Sequence, residues 1–397
     1  MSSHGIPRTA TREEPTGEAR QRELDEIAQY QRLVEEVNTK VKEQDFTPAL
    51  LQQTAEVLKK NPEYYTIWNH RRRIYVNEFQ ELEKDVASGK ITEETRISNV
   101  LDMIQLDLQF LFPLLVKFPK CYWIWNHRLW LLQQSTELLP LRPARDLWEE
   151  ELGLVSRMLS RDSRNFHGWG YRRIVVNSLS SQALQGQSMA RSELDYTKRM
   201  IGTNLSNFSA WDSRIKIIVR VLKEEDATDE DRQKVLDEEL ELIHQALFDP
   251  FDQSLWFYHQ NLMCTFDPEQ AARSMAPNLN TEERLKYISV EREYIEEVLE
   301  DSEDCQWAYK SLIQCALLEA KLKKGLTEGE KQKILGWLNE LKSRDPLRMG
   351  RWVDMEQILM NPEGSVESQW MVANSLPPSP GTELVPPAFA MDELEDE

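Results

Sequence analysis

The sequence predicts an all-α fold in which antiparallel helical hairpins stack one upon the next. Three observations predict it. Glu, Leu, Gln, Arg and Lys are abundant while glycine is scarce, at 14 of 397 residues, a balance that suits helices and gives little support to a sandwich or barrel. A tryptophan-centred phrase recurs along the chain. Between its copies lie stretches with apolar residues at helical spacing, such as Ile97, Leu101, Ile104, Leu108 and Leu111, which keep one apolar stripe on one helix face.

The phrase places an aromatic or polar residue shortly before a Trp and, in most copies, a basic residue three positions after it. Copies centre on Trp68 (from Asn61-Pro62), Trp125 (from Phe118-Pro119), Trp169 (from Asp162), Trp211 (from Asn204) and Trp256 (from Asp249-Pro250). A weaker sixth centres on Trp307 and a vestigial seventh runs from Asp345-Pro346 to Trp352. The Trp-to-Trp steps of 57, 44, 42, 45, 51 and 45 residues are those of helix–turn–helix repeats in α-solenoids. Proline, where present, stands just ahead of the Trp helix, where its fixed φ and missing N–H do no harm.

Residues three apart share a helix face. Each Trp therefore projects with its cation: Trp68 with Arg71, Trp125 with Arg128, Trp169 with Arg172 and Trp211 with Arg214, with His259 and Lys310 taking the place after Trp256 and Trp307. Each Trp is expected to fill the gap between neighbouring hairpins. Each Arg is expected to pair with a carboxylate or with helix-terminal carbonyls in the next repeat. Repeated identical chemistry is what stacking requires, so these residues are read as structural.

The ends differ in character. Residues 1–18 are polar and read as a disordered N-terminus. Residues 19–360 read as the repeat array, opening with a charged helix from Arg20 to about Glu43 whose apolar side is Leu24, Ile27, Leu33, Val34 and Val37. Residues 361–397 hold Pro377-Pro378, Pro380 and Pro386-Pro387 and finish in an acidic run, the composition of a disordered tail.

Composition also excludes function classes. A formal net charge of −20 repels phosphate backbones and argues against general nucleic-acid binding, though a small basic patch for one anionic ligand remains compatible with it. No run of 18 apolar residues suggests a transmembrane segment, the polar start Met1-Ser2-Ser3-His4-Gly5 lacks a signal-peptide core, and a cytoplasmic location is expected. Cys121, Cys264, Cys305 and Cys315 match no zinc spacing and are too few for a disulfide framework; they are expected as reduced, mostly buried thiols. No metal-binding pattern, phosphate loop or nucleophile elbow is visible, so the chain by itself shows no complete catalytic machine.

The recurring Pro-x-x-Tyr-x-x-Trp-Asn-x-Arg phrase, in register from about Asn61 to Asp345, resembles the repeat of protein prenyltransferase α subunits. The resemblance implies a right-handed superhelix of hairpins around a catalytic β subunit, which carries the zinc whose bound thiolate attacks the isoprenoid. Within the family, the α subunit shared by farnesyltransferase and geranylgeranyltransferase type I has a Gln that helps read a substrate's terminal carboxylate. Here Trp123 stands at that position in Pro119-Lys120-Cys121-Tyr122-Trp123 and cannot donate or accept in the same way. The stretches Arg164 to Arg173, Asn204 to Trp211 and Asp249 to His259, with His4-Gly5 near the start, resemble the type II (Rab) geranylgeranyltransferase α subunit in its compact fungal form. In the family that His directly follows the initiator Met, whereas two serines intervene here. The implied partners are a β subunit, a Rab escort protein, a Rab GTPase substrate and geranylgeranyl diphosphate, with no cofactor on this chain. A shared CaaX-enzyme α subunit and a non-enzymatic helical scaffold are the alternatives.

The resemblance singles out Lys120, whose family counterpart reaches the isoprenoid diphosphate. Negative charge builds on a departing diphosphate, and a fixed ammonium stabilises it more in the transition state than before it. Tyr122 and His167 match supporting positions, able to donate a hydrogen bond or position Lys120. His167 has no second ligand three or four residues away and is not expected to bind metal. Arg172 and Arg173 read as structural.

Overall fold

The structure is a computed structural model and describes residues 17–360. Among these residues the only regular secondary structure is helix, as expected, and the chain falls into two compact units that divide between Met189 and Ala190. The expected disordered N-terminus and acidic tail, and His4, lie outside the described residues except for Gly17 and Glu18, which already belong to the first helix.

The first unit comprises α1 (Gly17–Lys42), α2 (Pro48–Lys60), α3 (Tyr65–Ala87), α4 (Glu93–Lys117), α5 (Tyr122–Leu138), α6 (Leu141–Arg161) and α7 (Phe166–Leu179). Each of the pairs α2–α3, α4–α5 and α6–α7 packs as a hairpin, and the Trp-bearing helices α3, α5 and α7 also pack in succession. Of the apolar side expected for α1, Val37 is buried, but Leu24 and Ile27 are 51% and 45% exposed. Only the second half of α1 finds a hairpin to cover it. Helix α4 is apolar and long enough to cross a membrane by composition. Of its expected stripe, Ile104 and Leu111 are fully buried and Ile97, Leu101 and Leu108 half-buried, and Val100 and Leu115, also fully buried, complete the face around Asp107.

The first unit closes on a helical turn, Gln182–Leu184, folded back on the end of α7. The reversal uses Gly186, where a Cβ would come within 1.7 Å of the Leu179 carbonyl oxygen, so no larger residue fits.

The second unit comprises α8 (Ala190–Thr203), α9 (Phe208–Glu224), α10 (Asp229–Ala246), α11 (Gln253–Met263), α12 (Thr281–Asp301), α13 (Gln306–Lys323), α14 (Glu328–Arg344) and α15 (Met349–Met360). Hairpins α8–α9, α10–α11, α12–α13 and α14–α15 repeat the pattern. The non-helical stretch before α12 is held by Arg284, whose guanidinium donates to the carbonyls of Thr265, Pro277 and Leu279 at 2.7–2.9 Å. A backbone with few partners of its own is thereby satisfied.

Every strong copy of the phrase builds the same joint. The Trp side chain lies at most 3% exposed, and its indole Nε1 donates to the carbonyl six residues earlier. The pairs are Trp68 to Pro62, Trp125 to Pro119, Trp169 to Ser163, Trp211 to Leu205 and Trp256 to Pro250, at 2.6–3.0 Å. The bond folds the turn ahead of each Trp helix back onto its own Trp. In the sixth copy the register corrects the sequence reading. Tyr309, not Trp307, donates across six residues, to the Glu303 carbonyl at 2.9 Å. Trp307 stands two residues ahead of that position and is half-buried.

Of the cations expected to bind the repeats together, Arg71, Arg128, Arg214 and His259 do so, through acids the sequence did not single out. Arg71 donates to Asp107 of α4 (Nε to Oδ1 3.0 Å), Arg128 to both oxygens of Glu151 of α6 (2.7 and 2.6 Å), and Arg214 to both of Glu239 of α10 (2.8 and 2.5 Å). The following Trp helix then donates to the same acid. His127 Nε2 meets Asp107 at 2.8 Å, the Tyr171 hydroxyl Glu151 at 2.8 Å, and the Tyr258 hydroxyl Glu239 at 2.5 Å. One buried carboxylate thus staples two consecutive Trp helices. The rings joined this way also pack on the preceding Trp, Trp125–Tyr171 at 4.9 Å and Trp211–Tyr258 at 4.5 Å between centroids. Burial would raise the Asp107 carboxyl, but Arg71 and His127 outweigh it and hold it well below the usual range. His259 fills the expected place in the fifth copy, meeting Glu291 of α12 at 2.9 Å alongside His244. Arg172 donates to Ser156 of its own hairpin at 2.7 Å. Lys310 does not join the series and is corrected with Trp307: counted from Tyr309, it stands one residue after the anchor rather than three. The four cysteines are free thiols, three buried and Cys264 half-buried.

Candidate functional site

The same joint fixes what the start of each Trp helix presents. Helices α3, α5, α7 and α9 all begin three residues before their Trp, with Tyr65, Tyr122, Phe166 and Phe208. These rings are 43–69% exposed. They stand beyond the buried Trp layer, at helix N-termini where the helix dipole favours anions, and Asn165 and Asn207 cap two of those ends.

Lys120 lies in the turn between α4 and α5, directly after Pro119, and is exposed. Tyr122 opens α5 and is 51% exposed; its hydroxyl accepts from Asn126 Nδ2 at 3.4 Å. His167 sits on the first turn of α7, partly buried, with its ring 6.3 Å from that of Tyr122 and 4.0 Å from Phe166. Its pKa is lowered, chiefly by burial; the Glu63 carboxylate pulls it back up and the Lys120 ammonium pushes it down. The three residues singled out by the sequence therefore share one neighbourhood, built from the ends of α5 and α7.

Sequence reasoning missed four other members. Tyr65 reaches Trp123 at 5.5 Å between ring centroids, and Trp123 meets Tyr122 edge-on at 5.3 Å. An aromatic surface therefore runs from α3 across α5 to α7, and Phe166 extends it. Glu63 brings a carboxylate that acts on His167. Arg72 is half-buried and donates to neutral acceptors, Asn126 Oδ1 at 2.5 Å and His127 Nδ1 at 3.3 Å; burial lowers it to about 10, against a pull from Tyr122. The aromatic that recurs three residues before the first four Trp anchors was the available signal for Tyr65 and Phe166.

The turn that carries Lys120 is held from two repeats. The Pro119 carbonyl accepts from Trp125 Nε1 at 3.0 Å and from Asn165 Nδ2 at 2.9 Å. Asn165 is buried and its oxygen also caps α7, accepting from the His167 and Gly168 amides at 3.1 and 3.3 Å. Chemically, the arrangement offers an exposed ammonium on a fixed turn, a phenol and a weakly basic imidazole beside it, and an apolar aromatic floor. That suits a ligand or partner surface with an anionic head and an apolar body. Among the described residues no three His, Cys, Asp or Glu side chains gather as a metal site.

The comparisons agree with this geometry. The protein prenyltransferase alpha subunit repeat matches residues 48–77, 104–135 and 148–179, which are the hairpins α2–α3, α4–α5 and α6–α7. Geranylgeranyl transferase type-2 subunit alpha of Saccharomyces cerevisiae is 32% identical over 364 residues, covering 89% of this chain and 98% of the relative. The Schizosaccharomyces pombe protein of the same name is 33% identical over 368 residues, covering 90% and 99%. The human one is 32% identical over 275 residues, covering 68% of this chain and 44% of the relative. A chain of the solved structure of Candida albicans protein geranylgeranyltransferase-I complexed with GGPP superposes with a TM-score of 0.55 over 84% of this chain and 91% of that one, at 21% identity, which shows a shared fold. Since the yeast relatives match along nearly their whole length and not by single repeats, the chain belongs to the protein prenyltransferase α-subunit family, as a geranylgeranyl transferase type-2 α subunit.

Proposed function

We propose that this chain works in the cytoplasm as half of a heterodimer with a prenyltransferase β subunit. The pair transfers geranylgeranyl from geranylgeranyl diphosphate to C-terminal cysteines of Rab GTPases presented by an escort protein. The observation that carries the reading is the cluster of Lys120, Tyr122 and His167 over an aromatic floor, on a turn anchored from two repeats. Zinc bound to the β subunit would hold the Rab cysteine as a thiolate, the nucleophile that displaces the diphosphate. This chain would supply charge stabilisation: as the carbon–oxygen bond breaks, the Lys120 ammonium faces the growing charge of the diphosphate, and its pre-set position avoids reorganisation at that moment.

Trp123 supports the Rab-type reading over a CaaX reader. Its ring lies between Tyr65 and Tyr122, an apolar surface where a carboxylate-reading amide would otherwise stand. The test is a prenylation assay with the co-expressed β chain, comparing a Rab plus escort protein with a CaaX peptide. The reading expects transfer to the Rab only, dependent on the escort protein. Efficient transfer to the CaaX peptide would overturn it in favour of the shared α subunit, and failure to recover any β chain would favour a scaffold.

A further inference from the structure

The second unit contains a group of cations that the staples do not account for. Lys310 of α13 is half-buried, and its ammonium lies 5.4 Å from the centre of the Phe257 ring and 5.9 Å from that of Trp307. Its hydrogen-bond acceptor is neutral, the side-chain oxygen of Gln260 at 3.3 Å. Arg348 lies 5.7 Å from the centre of the same Trp307 ring, and Arg351, half-buried, packs on Trp352 at 5.3 Å. Asp345, paired with Arg348 at 3.1 Å, is the carboxylate that acts on Lys310 and Arg351. Three cations therefore surround one acid.

The contrast with the staples is the argument. Arg71, Arg128 and Arg214 are each buried against a carboxylate, because a desolvated charge without a partner is costly. At the register position of Lys310, one residue after the anchor, the other copies carry Asn69, Asn126, Gly170, Asp212 and Phe257; a cation there is peculiar to this repeat. In a protein of net charge −20, two uncompensated positive charges beside the half-buried Trp307 and Phe257 rings call for an anion from outside. The flanking Trp307 and Phe257 favour an acid with apolar neighbours, as on a polypeptide, over a free inorganic anion.

We propose that Lys310 and Arg351, beside Trp307, form a socket for an acidic side chain of the β subunit, a proposal that rests on the heterodimer reading above. The groups facing Lys310 are Phe257 and Gln260 of α11 and Asp345, Arg348 and Arg351 around the start of α15. Burial, then Arg351 and Arg348, against the pull of Asp345, bring Lys310 down to about 8. Docking that needs its charged form is therefore strong below that value and is lost as pH rises through it.

The test uses the heterodimer with co-expressed β subunit and compares wild type with Lys310→Met, Arg351→Met and the double variant, each checked by circular dichroism and Tm for intact folding. The double variant is expected to raise the heterodimer Kd tenfold or more at low salt and to flatten its salt dependence. Lys310→Met is expected to abolish the weakening of association between pH 7 and pH 9. An unchanged Kd and salt slope in a folded double variant overturns the proposal. It is equally overturned if inorganic phosphate raises the wild-type Tm and not that of the variant while Kd is unaffected, which marks a small-anion site. The same holds if the effects vanish on deletion of residues 391–397, which would make this chain's own acidic end the occupant. A wild-type chain that binds no β subunit instead overturns the heterodimer reading itself.

Discussion

Glu151 is the clearest test of the stapled-repeat architecture. Its carboxylate is 2% exposed and accepts Arg128 Nε at 2.7 Å, Arg128 Nη2 at 2.6 Å and the Tyr171 hydroxyl at 2.8 Å. Replacing it with alanine removes the acceptor from three donors, two on a guanidinium that is itself 3% exposed. Breaking a buried ion pair from one side costs roughly 3–5 kcal/mol because the other charge stays buried. The orphaned Tyr171 hydroxyl adds about 1–3 kcal/mol. Arg128 keeps one partner, the Leu108 carbonyl at 2.9 Å, and water entering the gap recovers part of the loss, so Glu151→Ala is expected to cost about 4–6 kcal/mol. Tyr171→Phe removes one hydrogen bond to a charged acceptor and is expected to cost about 1.5–3 kcal/mol. The assay is urea unfolding followed by circular dichroism, with hydrogen exchange on the amides of α5, α6 and α7 to locate the loss. Pairing Glu151→Ala with Arg128→Met should recover much of the stability, since no charge is then stranded. A Glu151→Ala chain within about 1 kcal/mol of wild type, less than one ordinary hydrogen bond and its desolvation, would refute the idea that this acid holds consecutive Trp helices together.

Three further outcomes are expected. Trp169→Ala empties the space of a side chain 2% exposed and removes its bond to the Ser163 carbonyl, and should destabilise the chain by about 3–5 kcal/mol; an unchanged Tm would contradict the packing role. On the proposed reading, in which β-subunit groups would share the diphosphate, Lys120→Ala should lower single-turnover prenylation by about tenfold or more with the heterodimer intact, less than the loss of a sole oxyanion donor; an unchanged rate would remove Lys120 from the chemistry. Burial, against the pull of Asp107, brings His127 down to about 4, so the folded state resists a proton that the unfolded chain accepts near 6.5. Stability should therefore be full above about pH 6.5 and fall by about 3 kcal/mol as pH drops to 4. NMR titration of the His127 ring would check this, and a midpoint at or above 6.5 would contradict it.

Much of this was legible because stacking repeats its chemistry. The indole-to-carbonyl joint needs a large flat donor at a fixed distance from a turn, so Trp68, Trp125, Trp169, Trp211 and Trp256 stood out. Their cations followed from helical spacing. The acids did not, because Asp107, Glu151 and Glu239 lie on the partner helices at unequal separations, among 68 acidic residues that mostly face water. Trp307 misled for the opposite reason, since residue identity outweighed register. The cap position restores the register. Cys121, Asn165, Asn207, Asp252 and Cys305 each precede their helix by one residue and their anchor by four, and four residues after Cys305 is Tyr309. In the candidate site, Lys120, Tyr122 and His167 came from resemblance. Their company of Tyr65, Glu63 and Arg72 arises from packing between hairpins, which no local pattern encodes.

The stacking and the site are one construction. The Pro119 carbonyl accepts both the indole of its own repeat and the amide of Asn165 in the next, so the residue before Lys120 is fixed by two helices. Asn165 in turn caps the helix that begins with Phe166 and His167. At Gly168 a Cβ would lie 3.0 Å from Leu159 Cδ2, so glycine lets that first turn press against α6. A loop could hold an ammonium at this place, but with freedom that a transition state would have to remove. Here the cations and acids buried behind the rim supply the rigidity, and the rim itself stays polar, aromatic and exposed. The division explains why copies alike in their Trp layer differ at the position of Lys120, which is Glu63 in the copy before it and Arg164 in the copy after: the inner layer is constrained by stacking, whereas the rim answers only to what it meets.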